Sequence, residues 1–486
     1  MKRYYYIFLL ILSVSIFSGC SSWLDVEPTD KINDEKLFSD YTGFRNALNG
    51  IYQVLSSSEL YGRELSWGFV SCLEQSYDDN NLGKKYKNLQ KYDYEDAEIK
   101  TIVSNIWLKG YRVIANCNKL IEEIEKRDSS FFPQGAMEKN LLLGEALAIR
   151  GFMHFDLVRL FAPAPVTGDD GPYIPYFTEY PSKFEKKLPT SEILELAIGD
   201  LLRAKELVAT NDTLVNASVS MYSVVGRYRK NNTAKGGEFF SYRGIRMNYV
   251  AVCGLLARMY LYAGDETKAR EHALYVYKKF VEEKKWYSFT YEWDAADYVK
   301  LYDDLILAFY DKDLLTHIAD FKKSQGSSFM MLKGVSSMFE DRGDATDYRS
   351  KLIVYVNNKP YSKRWYDTGE QNYQVVNEQY PLIPVLRMSE IYYILSETYF
   401  DKSPEESESY LNKLRGARSA TRPITGLSEK SDLITELVWE GKKEYLTEGQ
   451  MFYMFKRLNH KILSGTQAVE MGKKFIIPTP DNENVY

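Results

Sequence analysis

At 486 residues, with 45% hydrophobic and 27% charged side chains, the chain has ordinary globular composition and room for a large core. Its formal charge of -5 excludes a polyanion such as nucleic acid as the main partner. Aromatic residues reach 15%, with 40 tyrosines, more than a core demands, so many are expected to be partly exposed with their hydroxyls in water.

The chain starts with Lys2 and Arg3, then an apolar run from Tyr4 to Phe17 broken only by Ser13 and Ser15, then Ser18-Gly19-Cys20. The run is too short to cross the ~30 Å hydrocarbon core, which needs about 20 residues, so residues 1–19 read as a signal peptide. A cysteine directly after small residues is what lipoprotein processing requires, because its thiol is acylated. Cys20 is therefore the expected lipidated N-terminus, and two or three acyl chains on one residue anchor a protein stably. Residues 20–38 form a polar tether in which Trp23 and Leu24 tack onto the body.

From Ser39 the spacing of Phe44, Ala47, Leu48, Ile51 and Leu55 predicts a helix. Ser66 to Tyr94, with Trp67, Tyr77, the run Asp78-Asp79-Asn80-Asn81 and Gly83, reads as a polar surface loop. Helical periodicity returns from Ile102 to Ile124, from Leu141 to Leu160 before Pro163 and Pro165, and from Ser191 to Val208, where Pro189-Thr190 is the expected cap. Asn211 to Tyr242 is Gly/Asn-rich and reads as a long excursion from the scaffold.

Between Tyr249 and Phe280, Ala257, Tyr260, Gly264 and Ala269 sit at the offsets of a tetratricopeptide repeat: small residues across a helix seam and a glycine at the turn. One such unit cannot bury its own face, so neighbours are expected, among them the Leu141 to Leu160 helix and the pair Ile391 to Tyr399 and Glu405 to Arg418. Lys285 to Tyr380 is irregular and aromatic, with only Asp303 to Tyr310 resembling a strand or short helix. A binding surface on loops is expected there. Helices resume at Leu386 to Phe400, Glu405 to Ala420, Asp432 to Tyr445 and Phe452 to Leu458, and the end is extended through Ile476-Ile477-Pro478.

Cys72, Cys117 and Cys253 lie among apolar neighbours without CxxC spacing and read as inert core residues. His154, His272, His317 and His460 are scattered without HExxH, so no metal, cofactor or histidine-based catalysis is expected. Asp78-Asp79 and Asp303-Asp304 are sequence neighbours, which does not set two carboxylates across a scissile bond. The run at 78–81 lacks EF-hand spacing, and Lys84-Lys85-Tyr86-Lys87 reads as a solvated face.

Several ordered landmarks resemble the SusD/RagB family of nutrient-uptake proteins of the Bacteroidetes. They are Cys20 followed by Trp23-Leu24-Asp25-Val26-Glu27-Pro28; Glu145-Ala146 with Arg150, Phe155-Asp156-Leu157, Arg159 and Pro165; and Arg387-Met388-Ser389-Glu390-Ile391-Tyr392 with Glu397. Leu411-Asn412 with Arg415 and Arg418, Glu444 to Gly449 with Lys456-Arg457, and Ile477-Pro478 complete the order. Where the family pattern carries a basic residue and then an acid after Glu448-Gly449, this chain has Met451 and Met454, an ion pair exchanged for packing that marks a divergent subgroup. The tail after Pro480 is also short.

The resemblance implies a mainly α-helical body of four tetratricopeptide-like units, a SusD-like α/α superhelix with long irregular loops carrying the ligand face. It implies an outer-membrane lipoprotein facing the cell surface, which captures oligosaccharides, or peptides in some members, as a lid over a SusC-like TonB-dependent transporter. Cleavage and transport would be the work of other proteins. The expected layout is a single domain, 39–486, with a helical scaffold at 39–280 and 385–460 and a loop-rich ligand-face region at 285–384.

Surface binding without chemistry is also what the residues themselves suggest. An aromatic ring covering ~100 Å² of a sugar face contributes roughly 2.5 kcal/mol, whereas micromolar binding needs about 8, so several rings and hydrogen bonds are required. The expected platforms are Trp67, Tyr77, Trp286, Trp293 and Trp365, with Asp78 and Asn80 as hydroxyl acceptors. The competing class is a protein-interaction scaffold, because tetratricopeptide arrays bind peptides in a concave groove.

Overall fold

The computed structural model describes residues 35–183, 185–217, 234–295, 297–325, 329–365, 379–465 and 467–484. The expected leader, Cys20 and most of the tether lie outside these residues. The body is mainly helical. α1, Tyr41–Leu55, starts where the Asp40 carboxylate accepts the N–H groups of Thr42 and Gly43, and it buries Phe44, Leu48, Ile51 and Leu55 on one face. α2, Ala97–Glu125, is capped in the same way by Asp96. α3, Ala136–Phe161, is buried on nearly every side because it packs between α2 and α4, Thr190–Ala209. Gly144 and Gly151 make that approach possible: a Cβ on either would come within 2.7 Å of Val208 Cγ1 or the Ala197 carbonyl oxygen. The cap of α4 comes from Asp170, whose carboxylate takes the Ser191 N–H at 2.8 Å, rather than from Pro189-Thr190.

The repeat unit forms as its spacing implies. α5, Tyr249–Ala263, ends at Gly264 in the left-handed region (φ 86°), and α6, Glu266–Val276, returns with Ala257 and Ala269 buried. α5 also packs on α4. α6 packs on the next hairpin, whose helices α8 and α9 are Met388–Tyr399 and Pro404–Ala417. Stacked hairpins thus bury one another's faces. α10, Lys430–Glu444, packs on α8 and on α11, Gln450–Arg457, and Met451 and Met454 press their sulfurs against the bare Cα of Gly441. Apolar packing thus occupies the place where the family pattern carries an ion pair. Among the described residues no helix is long and apolar enough to cross a membrane.

Four readings of the sequence are corrected. Ser66 to Tyr94 is not a surface loop: it holds two short helices, Phe69–Leu73 and Lys84–Gln90, and buries Trp67, Phe69, Val70, Cys72, Leu73 and Tyr77. Asn211 and Asp212 are docked rather than excursive, because the Asp212 carboxylate takes the Arg243 guanidinium through two 2.8 Å bonds; residues 218–233 of that stretch lie outside the description. Leu386 and Arg387 end a strand instead of starting a helix: β1, Leu305–Tyr310, pairs antiparallel with β2, Leu382–Arg387, which runs straight into α8. The supposedly irregular 285–380 region also contains α7, Leu314–Gln325, and a hairpin of Ile353–Val356 with Lys359–Ser362. The hairpin closes through Asn357-Asn358, both at positive φ.

The loop-rich region is fastened to the scaffold by buried ions. Glu444 at the end of α10 accepts Arg418 at 2.7 Å and Arg349 at 3.0 Å and also bonds Arg387, while Arg387 reaches Glu448 at 2.9 Å. Arg418 bonds Asp304, just before β1, and Arg415 and Lys443 converge on Asp344 and Glu440. Burial would raise the Glu444 carboxyl, but Arg418, Arg387 and Arg349 more than offset it and hold it well below the usual carboxylate range. Cys72, Cys117 and Cys253 are buried free thiols.

A candidate ligand cleft at the end of a buried strand

β1 is buried from Leu305 to Phe309 and surfaces at Tyr310, which is 52% exposed. Beyond it the chain turns sharply: the Asp311 N–H donates to the Pro381 carbonyl at 2.9 Å, and the Asp311 carboxylate accepts the Asp313 N–H at 3.0 Å. His317, one turn into α7, meets the same carboxylate through Nδ1 at 2.8 Å. Tyr310, Asp311, Lys312 and Asp313 thereby form one wall of a cleft of 1130 Å³.

The facing wall is the end of α1 and the segment Ser56 to Arg63. Arg63 is held there by Glu64, whose carboxylate takes its Nε at 2.7 Å, and its guanidinium lies 4.4 Å from the Phe321 ring centre. A third wall, Tyr242 to Arg246, is positioned by the buried Arg243. Arg246 donates to Glu145 and to Asn49 Oδ1, both at 3.0 Å, and covers the Tyr52 ring at 4.4 Å. Ala308 and Leu382, from the two strands, complete the floor.

The electrostatics suit a neutral polyhydroxylated ligand. Burial, then the neighbouring Tyr242, Asp311 and Asp313, raise the Tyr310 hydroxyl, so it keeps its proton and can donate. Burial would raise Glu59 too, but its own backbone N–H, Lys109 and the Ser57 and Ser58 hydroxyls keep it below the usual carboxylate range, as an ionised acceptor. Acidic, basic, amide and hydroxyl groups line the cleft together with the exposed Tyr310 ring, a set that can hydrogen-bond several hydroxyls at once.

The residues singled out by sequence scatter. Trp67 and Trp365 face each other inside the core with ring centres 6.3 Å apart. Their indole N–H groups are spent on the Gly62 carbonyl (2.9 Å) and on Thr447 (2.9 Å to Oγ1). Tyr77 is buried with its hydroxyl donating to the Trp67 carbonyl at 2.6 Å, and Trp286 is buried in a stack on Phe280. These four are packing residues, not platforms, because each is buried, and the Lys300 ammonium covers the Trp365 ring at 3.5 Å from its centre. Asp78 caps the turn Asp79–Asn81 by accepting the Asn80 N–H at 3.0 Å, and Asn80 is exposed beside it. Trp293 alone of the predicted platforms is open, 74% exposed. The cleft residues Tyr242, Tyr310, Asp311 and His317 were not among the predicted binders. Their signal was an apolar run ending abruptly in Tyr310-Asp311-Lys312-Asp313, a loop launched from a rigid strand.

Comparison with known proteins agrees with the architecture. The profile of the family described as "SusD-like_3: Starch-binding associating with outer membrane" matches residues 22–225. SusD-like protein P2 of Formosa agariphila is 25% identical over 379 residues, covering 77% of this chain and 63% of that protein. SusD-like protein P38 of the same organism is 23% identical over 243 residues, 47% of this chain and 43% of its own length. The chain thus spans less than two thirds of these curated relatives. Among solved structures, a SusD superfamily protein of Bacteroides thetaiotaomicron superposes with a TM-score of 0.67 at 20% identity, over 91% of this chain and 97% of that one. A SusD-like carbohydrate binding protein of Bacteroides vulgatus gives 0.65 at 19%, over 87% and 84%, likenesses that establish the fold. By profile over residues 22–225, by curated relatives and by fold, this chain is similar to the SusD-like proteins.

Proposed function

We propose that the chain is a cell-surface lipoprotein that captures nutrient oligosaccharides in the cleft beyond β1 and passes them to a SusC-like TonB-dependent transporter in the outer membrane. The observation that carries this reading is the cleft itself, where Tyr310 stands exposed among the acceptors and donors of Glu59, Asp311, Lys312 and Asn49. Its 1130 Å³ exceeds the ~300–1,000 Å³ usual for small-molecule sites and suits several sugar units. The family description, starch binding in association with the outer membrane, supports both ligand class and location, and the leader ending at Cys20 supports a lipid anchor. Binding without catalysis follows, with residues 39–486 as one ligand-carrying domain. Asp78 and Asn80 remain candidate acceptors at a second edge.

The test is titration of the soluble body, from Ser21 onward, against solubilised starch, xylan, β-glucan, mannan and pectin, their oligosaccharides, and a peptide mixture. Saturable binding to at least one glycan is expected. Binding to peptides alone, or to nothing, would overturn the reading and favour a peptide receptor or a protein-interaction scaffold.

A further inference from the structure

A second aromatic surface lies at the other end of β1. Tyr291 and Trp293 are 60% and 74% exposed, and their rings stack nearly parallel, 4.7 Å between centres and 6° between planes. The turn that carries them is fixed from beneath. The Thr290 N–H donates to Asp304 Oδ1 at 2.9 Å, and the Tyr348 hydroxyl donates to the Thr290 carbonyl at 2.6 Å. Asp304 and Tyr348 both belong to the buried Arg418 cluster. Glu292, between the two rings in sequence, accepts Lys351 and the Ser419 hydroxyl, the latter at 2.8 Å. These groups and the backbone of Gly416 line a groove of 480 Å³ that shares no residue with the cleft.

We infer that the Tyr291–Trp293 stack is a second subsite that holds a distal sugar ring of a polysaccharide whose other part occupies the cleft, an inference that rests on the function proposed above. A stack already formed presents the outer indole face without an ordering cost, and that face is flat, as a pyranose requires. Its neighbours are a carboxylate, an ammonium and a hydroxyl, partners for sugar hydroxyls. Thr290 is tied to Asp304 at the start of β1 and Tyr310 ends it, so the two sites are separated by about the length of a six-residue strand, ~20 Å. Only a chain of several units spans that distance, and two linked contacts then multiply in affinity.

Trp293→Ala tests this by affinity electrophoresis and calorimetry with the same five polysaccharides and the short oligosaccharides released from them. The expected result is at least tenfold weaker binding of the polysaccharide with short-oligosaccharide affinity and the thermal unfolding midpoint unchanged. Wild-type affinity of the variant for the polysaccharide would overturn the inference while leaving the proposed function standing, as would an equal loss for short oligosaccharides, which would place Trp293's effect in the cleft. Loss of transporter capture with glycan binding intact would make the stack a protein contact and overturn it as well. A wild-type chain that binds none of the glycans would remove the proposed function and this subsite together.

Discussion

Glu444→Gln is expected to destabilise the folded chain by roughly 3–5 kcal/mol, the usual cost of removing one partner from a buried ion pair. Glu444 is fully buried and receives Arg349, Arg387 and Arg418, which come from the turn before the Ile353–Val356 hairpin, the end of β2 and the residue after α9. The amide keeps the shape but leaves three guanidinium groups short of one negative charge. The pH dependence has a definite sign. A carboxyl whose folded pKa is depressed stabilises above its unfolded value, about 4.3, and loses that contribution as pH falls toward the folded value. The difference between wild type and variant, measured by urea unfolding, should therefore be full at pH 7 and narrow below about pH 4. A difference under about 1 kcal/mol at pH 7, or one that widens in acid, would mean that this cluster does not hold the loop region to the helices.

Tyr310→Ala is expected to weaken binding of the captured oligosaccharide by at least tenfold without moving the unfolding midpoint. A ring covering ~100 Å² of a sugar face contributes roughly 2.5 kcal/mol, and tenfold corresponds to about 1.4 kcal/mol, so the stated loss leaves room for a neighbouring ring to compensate. Stability should hold because Tyr310 is the exposed last residue of β1, whereas Leu305 to Phe309 supply the strand's buried side chains. Calorimetric titration of both proteins with one oligosaccharide checks this. Unchanged affinity would remove Tyr310 from the site.

The scaffold was legible because its signals are local. Helical spacing in α1 to α6 and Gly264 at its turn are written within a few residues of where they act. The family landmarks Arg387, Arg415, Arg418 and Glu444 were also visible, and they turn out to be the buried ion cluster, so they report fold rather than ligand. α7 carried a readable pattern in Leu314, Ile318 and Phe321, masked by its aromatic surroundings. Asn357-Asn358 between two short strands was a hairpin signal of the same local kind. The site was not legible, since the cleft joins the end of α1, residues 242–246, the end of β1 and Leu382, segments that only the tertiary fold brings together. Nothing local distinguishes Trp67 and Trp365, buried against each other, from Trp293 in solvent.

Amide hydrogen exchange with and without the best-bound glycan locates the site most directly. Protection is expected in Ser56 to Arg63 and in Tyr310 to Asp320, the two facing walls of the cleft. Saturating glycan that leaves both segments unprotected, or protects only Asp78 to Asn81, would contradict capture in the cleft.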